Sequence, residues 1–297
     1  MKIRVRADLV YRFDPPTDAI YKIQVAHWPG QTLLEERLTT TPAVDFIEDE
    51  DEEFGGRTLR AHLSGEVALT YEATVDNGVL KGLPPVTVQH DWNDLPAEVL
   101  TYLWPSRYCP SDQFGRFVER TFGGTTGGDR VLRILDWIKA EIDYEPGASD
   151  SETTAARTFI DRAGVCRDFT HMGITLCRAS GIPARAVSAF AHQLQPPDFH
   201  AIFEVWLSNG WWLVDPTGLA PVEGLVRIAC GRDAADIAFL TTQGACQLVR
   251  QSVTAEAIQG LNAAPVRPSV RGRAAEDASP AKSDDRLSFR PRPSMPQ

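Results

Sequence analysis

A cysteine, a histidine and an aspartate follow one another in an order that suits acyl transfer. They are Cys166 within Gly164-Val165-Cys166-Arg167-Asp168-Phe169, then His200, then Asp215-Pro216-Thr217. A thiol supplies a nucleophile and an imidazole a general base, while a carboxylate holds the imidazole in one tautomer and stabilises its cation. Only the thiolate attacks, and an ordinary cysteine with a pKa of about 8.5 is mostly protonated at neutral pH. The segment from Cys166 to Ser180 reads as a helix that begins at the cysteine, with Gly164 ahead of it and Gly181 and Pro183 beyond its end. The unsatisfied N–H groups and positive dipole end at such a start favour an anion, and they can also hold a developing oxyanion.

Among six histidines, His200 is the best candidate base, because it opens an alternating run to Leu207 that reads as a half-buried strand. Ser208-Asn209-Gly210 reads as a hairpin turn, and Trp211 to Asp215 returns antiparallel, with Pro216 ending the strand. A two-residue Asn209-Gly210 turn pairs Ser208 with Trp211, which sets Glu204 rather than His200 opposite Asp215. A bulge or strong twist is therefore expected to bring Asp215 to His200.

Each residue taken singly has a plainer reading. A free cysteine is usually a small buried hydrophobe, a strand histidine is usually a satisfied core residue, and Asp before Pro is an ordinary turn former. Their joint appearance beside a helix start is what favours chemistry. His171, five residues into the same helix, reads as structural, and Cys177, three turns along, as core. Tyr144 either lines the cleft or packs its loop, and Arg232 and Asp233 read as a local ion pair or a cap. An indole N–H from Trp92, Trp104 or Trp137 is a candidate second oxyanion donor. No metal-ligand spacing occurs, and the run Glu48 to Glu53 lacks the spacing and glycine of a calcium loop, so it reads as a solvated loop. Neither a metal nor a cofactor is called for.

Residues 1–90 alternate short apolar runs with turn signals such as Trp28-Pro29-Gly30 and Asp76-Asn77-Gly78, the pattern of an antiparallel β-sandwich. A proline- and aromatic-rich connection covers 91–128. Asp129 is expected to cap a helix from Arg130 to Ile142, and a short helix from Thr154 to Ala163 leads to Cys166. Strands around 184–190, 201–207 and 211–214 follow, so helices precede a mostly antiparallel sheet and residues 129–258 form an α+β catalytic domain. From residue 261 to 297 the chain lacks the apolar residues that offset ordering entropy, and it is expected to be a disordered tail.

The chain has 297 residues and a net charge of −10. Its stretch 263–297 has seven Lys or Arg against four Asp or Glu, so the remainder is more acidic than the whole. Such a body repels phosphate backbones, which excludes nucleic acid and anionic membrane surfaces as natural partners. Five irregularly spaced cysteines fit a reducing compartment rather than a disulfide framework. With no apolar run near ~20 residues and no secretory pattern at the start, a soluble cytoplasmic protein is the expectation. Nothing in the sequence specifies an oligomeric state.

Several segments together resemble the transglutaminase-like superfamily, in its bacterial branch of papain-related cysteine enzymes. They are Ile142-Asp143-Tyr144-Glu145-Pro146-Gly147, Thr153-Thr154-Ala155, Gly164 to His171, Gly181-Ile182-Pro183-Ala184-Arg185, the neighbourhoods of His200 and Asp215, and Gly231 to Ile237. The front of the chain resembles the β-rich domain that precedes the catalytic domain in that branch, so the likeness spans roughly residues 1–255. It implies a papain-like, transglutaminase-like catalytic domain with Cys166 as nucleophile, His200 as base and Asp215 as the orienting carboxylate. It also implies a thioester acyl-enzyme formed from a polypeptide or amide substrate and resolved by water, or by an amine as in a transglutaminase. A binding module on the same fold without the chemistry is the alternative of a different class.

Overall fold

In a strand every second side chain meets the core, and the front of the chain keeps that alternation over long stretches. The computed structural model describes residues 1–51 and 55–258. Its first four strands are β1 (Lys2–Tyr21), β2 (Thr32–Thr41), β3 (Ile47–Glu50) and β4 (Arg57–Asp76). β1 and β4 pair antiparallel from Lys2↔Asp76 to Tyr21↔Leu59, with a register shift between Phe13 and Thr17. Pro15 and Pro16 lie in that gap, and a proline has no N–H to give the ladder. The long pair bends there, so that Tyr11 and Tyr21, on either side, bring their ring centroids to 6.3 Å. β2 covers the Ala68–Asp76 half of β4 and β3 the Arg57–Arg60 end. The sandwich-like β-domain is thus a single sheet of six strands folded on itself, with Ile3, Val5, Phe13, Tyr21, Leu59 and Tyr71 buried inside. Glu48, Asp49 and Glu50, expected in a loop, belong to β3, where Arg57, Arg60 and His27 pair with them along an exposed edge. Glu52 and Glu53 lie outside the described residues.

The connecting segment carries α1 (Ala97–Leu100) and α2 (Gly115–Phe122). α3 (Gly127–Glu141) starts after extended Thr126, earlier than expected; Asp129 sits inside its first turn and pairs with Arg133 instead of capping. β5 (Asp143–Tyr144) follows, then α4 (Ala155–Asp161), whose first turn is capped by the Thr154 hydroxyl accepting from the Arg157 N–H, then β6 (Ala163–Gly164) and α5 (Cys166–Ala179). α5 is the central helix, buried from Asp168 to Arg178. It packs on an antiparallel sheet of β7 (Ala184–Ala191), β8 (Phe199–Leu207), β9 (Gly210–Val214) and β10 (Leu225–Gly231), ordered β10-β7-β8-β9. The approach is close: a Cβ at Gly173 would lie 2.3 Å from the Phe203 ring, so the helix needs its glycine there.

β8 was expected to be half-buried, yet both of its faces are covered. Its polar positions are consequently paired. Glu204 lies directly across from Arg185 on β7, bonded at 2.5 Å, and its other oxygen is 2.7 Å from Arg227 on β10. Trp28 of the β-domain stacks over Arg227, and the Ala26 N–H donates to the Arg227 carbonyl, joining the two parts of the molecule.

After α6 (Ala234–Ile237), β11 (Leu240–Thr242) and β12 (Gln247–Ala257) return to the first sheet, both pairing antiparallel with β1. Residues 240–257, grouped by composition with the segment beginning at 129, therefore complete the β-domain. The expected disordered tail at 261–297 lies outside the described residues.

Candidate active site

The cysteine owes its position to the first turn of α5. Val165 is extended ahead of the helix, and the Asp168 carboxylate reaches back to accept its N–H at 2.9 Å, as an acid in that position can. Asp168 is fully buried, hydrogen-bonded to the Ser149 hydroxyl and paired with Arg167 at 3.1 Å. A Cβ at Gly164 would lie 2.7 Å from the Asp168 Cβ, so the glycine makes room for this clamp. The sequence signal for this clamp is the spacing of three between Val165 and Asp168, an acid placed to accept the N–H at a helix start.

His200 and Asp215 meet without a bulge. The hairpin turn is Ser208-Asn209, both at positive φ (48° and 60°), as a type I′ turn requires. Leu207 pairs with Gly210 and Phe203 with Val214, a register that sets Asp215 just past the ladder and opposite Ile202. His200 and Ile202 share a side-chain face by the two-residue period, so Asp215 is the diagonal neighbour of His200. The expected Asn209-Gly210 turn, and with it Glu204 opposite Asp215, is corrected by this shift.

The His200 Nε2 and Asp215 Oδ2 are 3.0 Å apart, and both residues are buried. Asp215 Oδ2 also accepts from the Ala220 N–H at 3.1 Å, and Oδ1 accepts from the Thr217 N–H and hydroxyl at 2.8 and 2.7 Å. Burial works against ionising this carboxyl, but the His200 charge and these donors hold it below the usual carboxylate range. Burial likewise opposes the imidazolium, yet the Asp215 charge and hydrogen bond, joined by the Cys166 side chain, carry His200 up to about 10. With Nε2 held by Asp215, Nδ1 is the ring atom left for the sulfur. The fold thus brings together a half-buried thiol at a helix start, an imidazole whose protonated form Asp215 favours, and a carboxylate with every oxygen hydrogen-bonded.

Tyr144 joins them. It lies against Cys166, whose side chain and main chain both act on its phenol, while burial pushes the phenol up. None of the three tryptophans considered as oxyanion donors shares this location. The Trp92 indole donates to the Gly181 carbonyl at the far end of α5, Trp104 packs edge-on against Trp92, and Trp137 stacks with Phe159. His171 is buried, its Nε2 accepting from the Ala234 N–H and its ring stacked on Tyr108; burial pushes it down to about 3. Cys177 is core. Asp233 caps α6 by accepting from the Ala235 N–H, while Arg232 pairs with Asp236.

Comparison with known proteins matches residues 116–216, which contain Cys166, His200 and Asp215, to the transglutaminase-like superfamily. Residues 1–82 match the N-terminal domain of bacterial transglutaminase. The crystal structure of "a Putative Cysteine Protease from Cytophaga hutchinsonii" has a TM-score of 0.81 and 36% identity, covering 88% of this chain and 91% of that one. The uncharacterized protein ML0607 of Mycobacterium leprae is 25% identical over 260 residues, 80% of this chain and 91% of its own length. The uncharacterized protein Rv2569c of Mycobacterium tuberculosis is 30% identical over 123 residues, 36% of this chain and 39% of that protein.

Proposed function

This chain belongs to the transglutaminase-like superfamily, and on that premise we propose that it is a cysteine enzyme that hydrolyses peptide or amide bonds through a Cys166 thioester. The observation that carries the reading is the buried His200, 3.0 Å from Asp215 and acted on by the Cys166 side chain. In the proposed cycle His200 takes the thiol proton, and the sulfur attacks the carbonyl carbon at the positive end of α5. The leaving amine departs with the proton from His200, and water activated by the same ring releases the acid and frees the sulfur. Asp215 keeps the ring oriented throughout, because four hydrogen bonds fix its own carboxylate.

Water and a primary amine differ only as the second nucleophile. The test incubates glutamine-containing peptides with the protein and a tagged primary amine, with the Cys166→Ala protein as blank. Release of free acid or a new amine terminus in excess of tag incorporation is expected. Tag incorporation exceeding release would replace hydrolysis by amine transfer, and activity equal to the blank would leave a binding module.

A further inference from the structure

A tetrahedral intermediate on Cys166 places a full negative charge on the former carbonyl oxygen, and the Cys166 N–H is one donor for it; an oxyanion site is strong when a second preorganised donor meets the same point. Tyr144 is built into position for that task. β5 and β6 form a two-residue parallel bridge that pairs Tyr144 with Gly164, two residues before the nucleophile. Main-chain bonds fix it on both sides, from the Asp143 N–H to the Arg162 carbonyl at 2.8 Å and from the Glu145 N–H to the Gly164 carbonyl at 2.9 Å. The ring leans on Phe169 of α5, with centroids 5.7 Å apart.

We propose that the Tyr144 hydroxyl is a catalytic residue, the second hydrogen-bond donor to the oxyanion formed when Cys166 attacks an acyl carbon. The assignment rests on the reading of Cys166 as nucleophile. The phenol lies against both the Cys166 side chain and the Cys166 main chain, so its O–H and the Cys166 N–H border one place. An entering carbonyl oxygen takes both donors. Burial of the phenol keeps it protonated, as a donor must be.

Two reactions of the same sulfur separate this role from a structural one. p-Nitrophenyl acetate acylates through a tetrahedral intermediate: the S–C bond forms while the carbonyl π pair moves to oxygen, its return expels p-nitrophenolate, and the thiol proton passes to His200. Iodoacetamide alkylates by direct displacement of iodide and forms no oxyanion. In the full-length Tyr144→Phe protein, whose ring keeps its contact with Phe169, p-nitrophenyl acetate acylation of Cys166 is expected to fall by about 10²–10³-fold. Iodoacetamide labelling is expected to stay within about threefold of wild type, since its transition state carries no charge for an oxyanion donor. Equal losses in both reactions, or no loss in acylation, would overturn the assignment. A wild-type protein that is alkylated at Cys166 but never acylated there would instead overturn the thioester reading on which it depends.

Discussion

Replacing Asp215 by asparagine keeps the side-chain shape and one acceptor oxygen while removing the charge beside His200. In the wild type, burial disfavours the imidazolium, but Asp215 and the Cys166 side chain outweigh it and carry His200 from 6.5 to about 10. At about 1.36 kcal/mol per tenfold change in proton affinity, this rise corresponds to at most about 5 kcal/mol of folding stability. The folded-state value lies above the unfolded one, so the contribution is fully present below about pH 6.5 and is lost as pH rises through about 10. The Asp215→Asn protein loses it at every pH, together with a pH-independent loss from the Thr217 and Ala220 contacts. The stability gap between wild type and variant should therefore be widest near pH 6, close by about half near pH 8, and flatten to the constant part near pH 10. Urea unfolding of both proteins across that range, read as the change in ΔG, measures the gap. A gap that stays constant with pH would refute the assignment of a charged pair to His200 and Asp215.

Two further outcomes follow from the same geometry. Burial pushes the Cys109 thiol up to about 12 and Cys230 up to about 11, and raises Cys177 as well, while Cys166 is partly exposed at a helix start. Iodoacetamide at neutral pH should accordingly mark Cys166 first, by peptide mass, and His200→Ala should slow that labelling by about tenfold or more; labelling at Cys109 or Cys230 just as fast would count against the site. Glu204→Gln leaves the Arg185 and Arg227 guanidinium groups buried beside a neutral amide, and the urea midpoint should report a loss of about 3–5 kcal/mol; a loss below about 1 kcal/mol would show that the three charges do not act together.

The helix that begins at Cys166 and the strands carrying His200 and Asp215 were legible because each depends on local pattern, a glycine-bounded apolar period and a two-residue alternation. The hairpin register was not, because a glycine attracts a turn assignment while the turn is set by Ser208 and Asn209 at positive φ. That single-residue difference moves the partner of Asp215 from Glu204 to Ile202. Tyr144 stayed divided between lining the cleft and packing its loop, because its placement comes from a two-residue bridge to Gly164 that no periodicity announces. Half-buried alternation was expected for β8, but burial of its second face depends on Trp28 and Arg227, which are distant in sequence. The β-domain was legible in its first 76 residues and silent about its last two strands, since nothing local in 240–257 says that β1 is their partner.

The pairing of β12 with β1 means that the β1–β4 hairpin stays unfinished on the ribosome until residue 257 has emerged. Ile3 waits for Ala257 and Val5 for Ala255, so their contacts carry a loop-closure entropy over about 250 residues and tie completion of the first domain to synthesis of β12. A chain cut short after residue 239 would carry β1 with a bare hydrogen-bonding edge, an invitation to pair with other chains. Messages or proteolysis that remove β11 and β12 would be read out as aggregation of the first domain, far from the nucleophile itself.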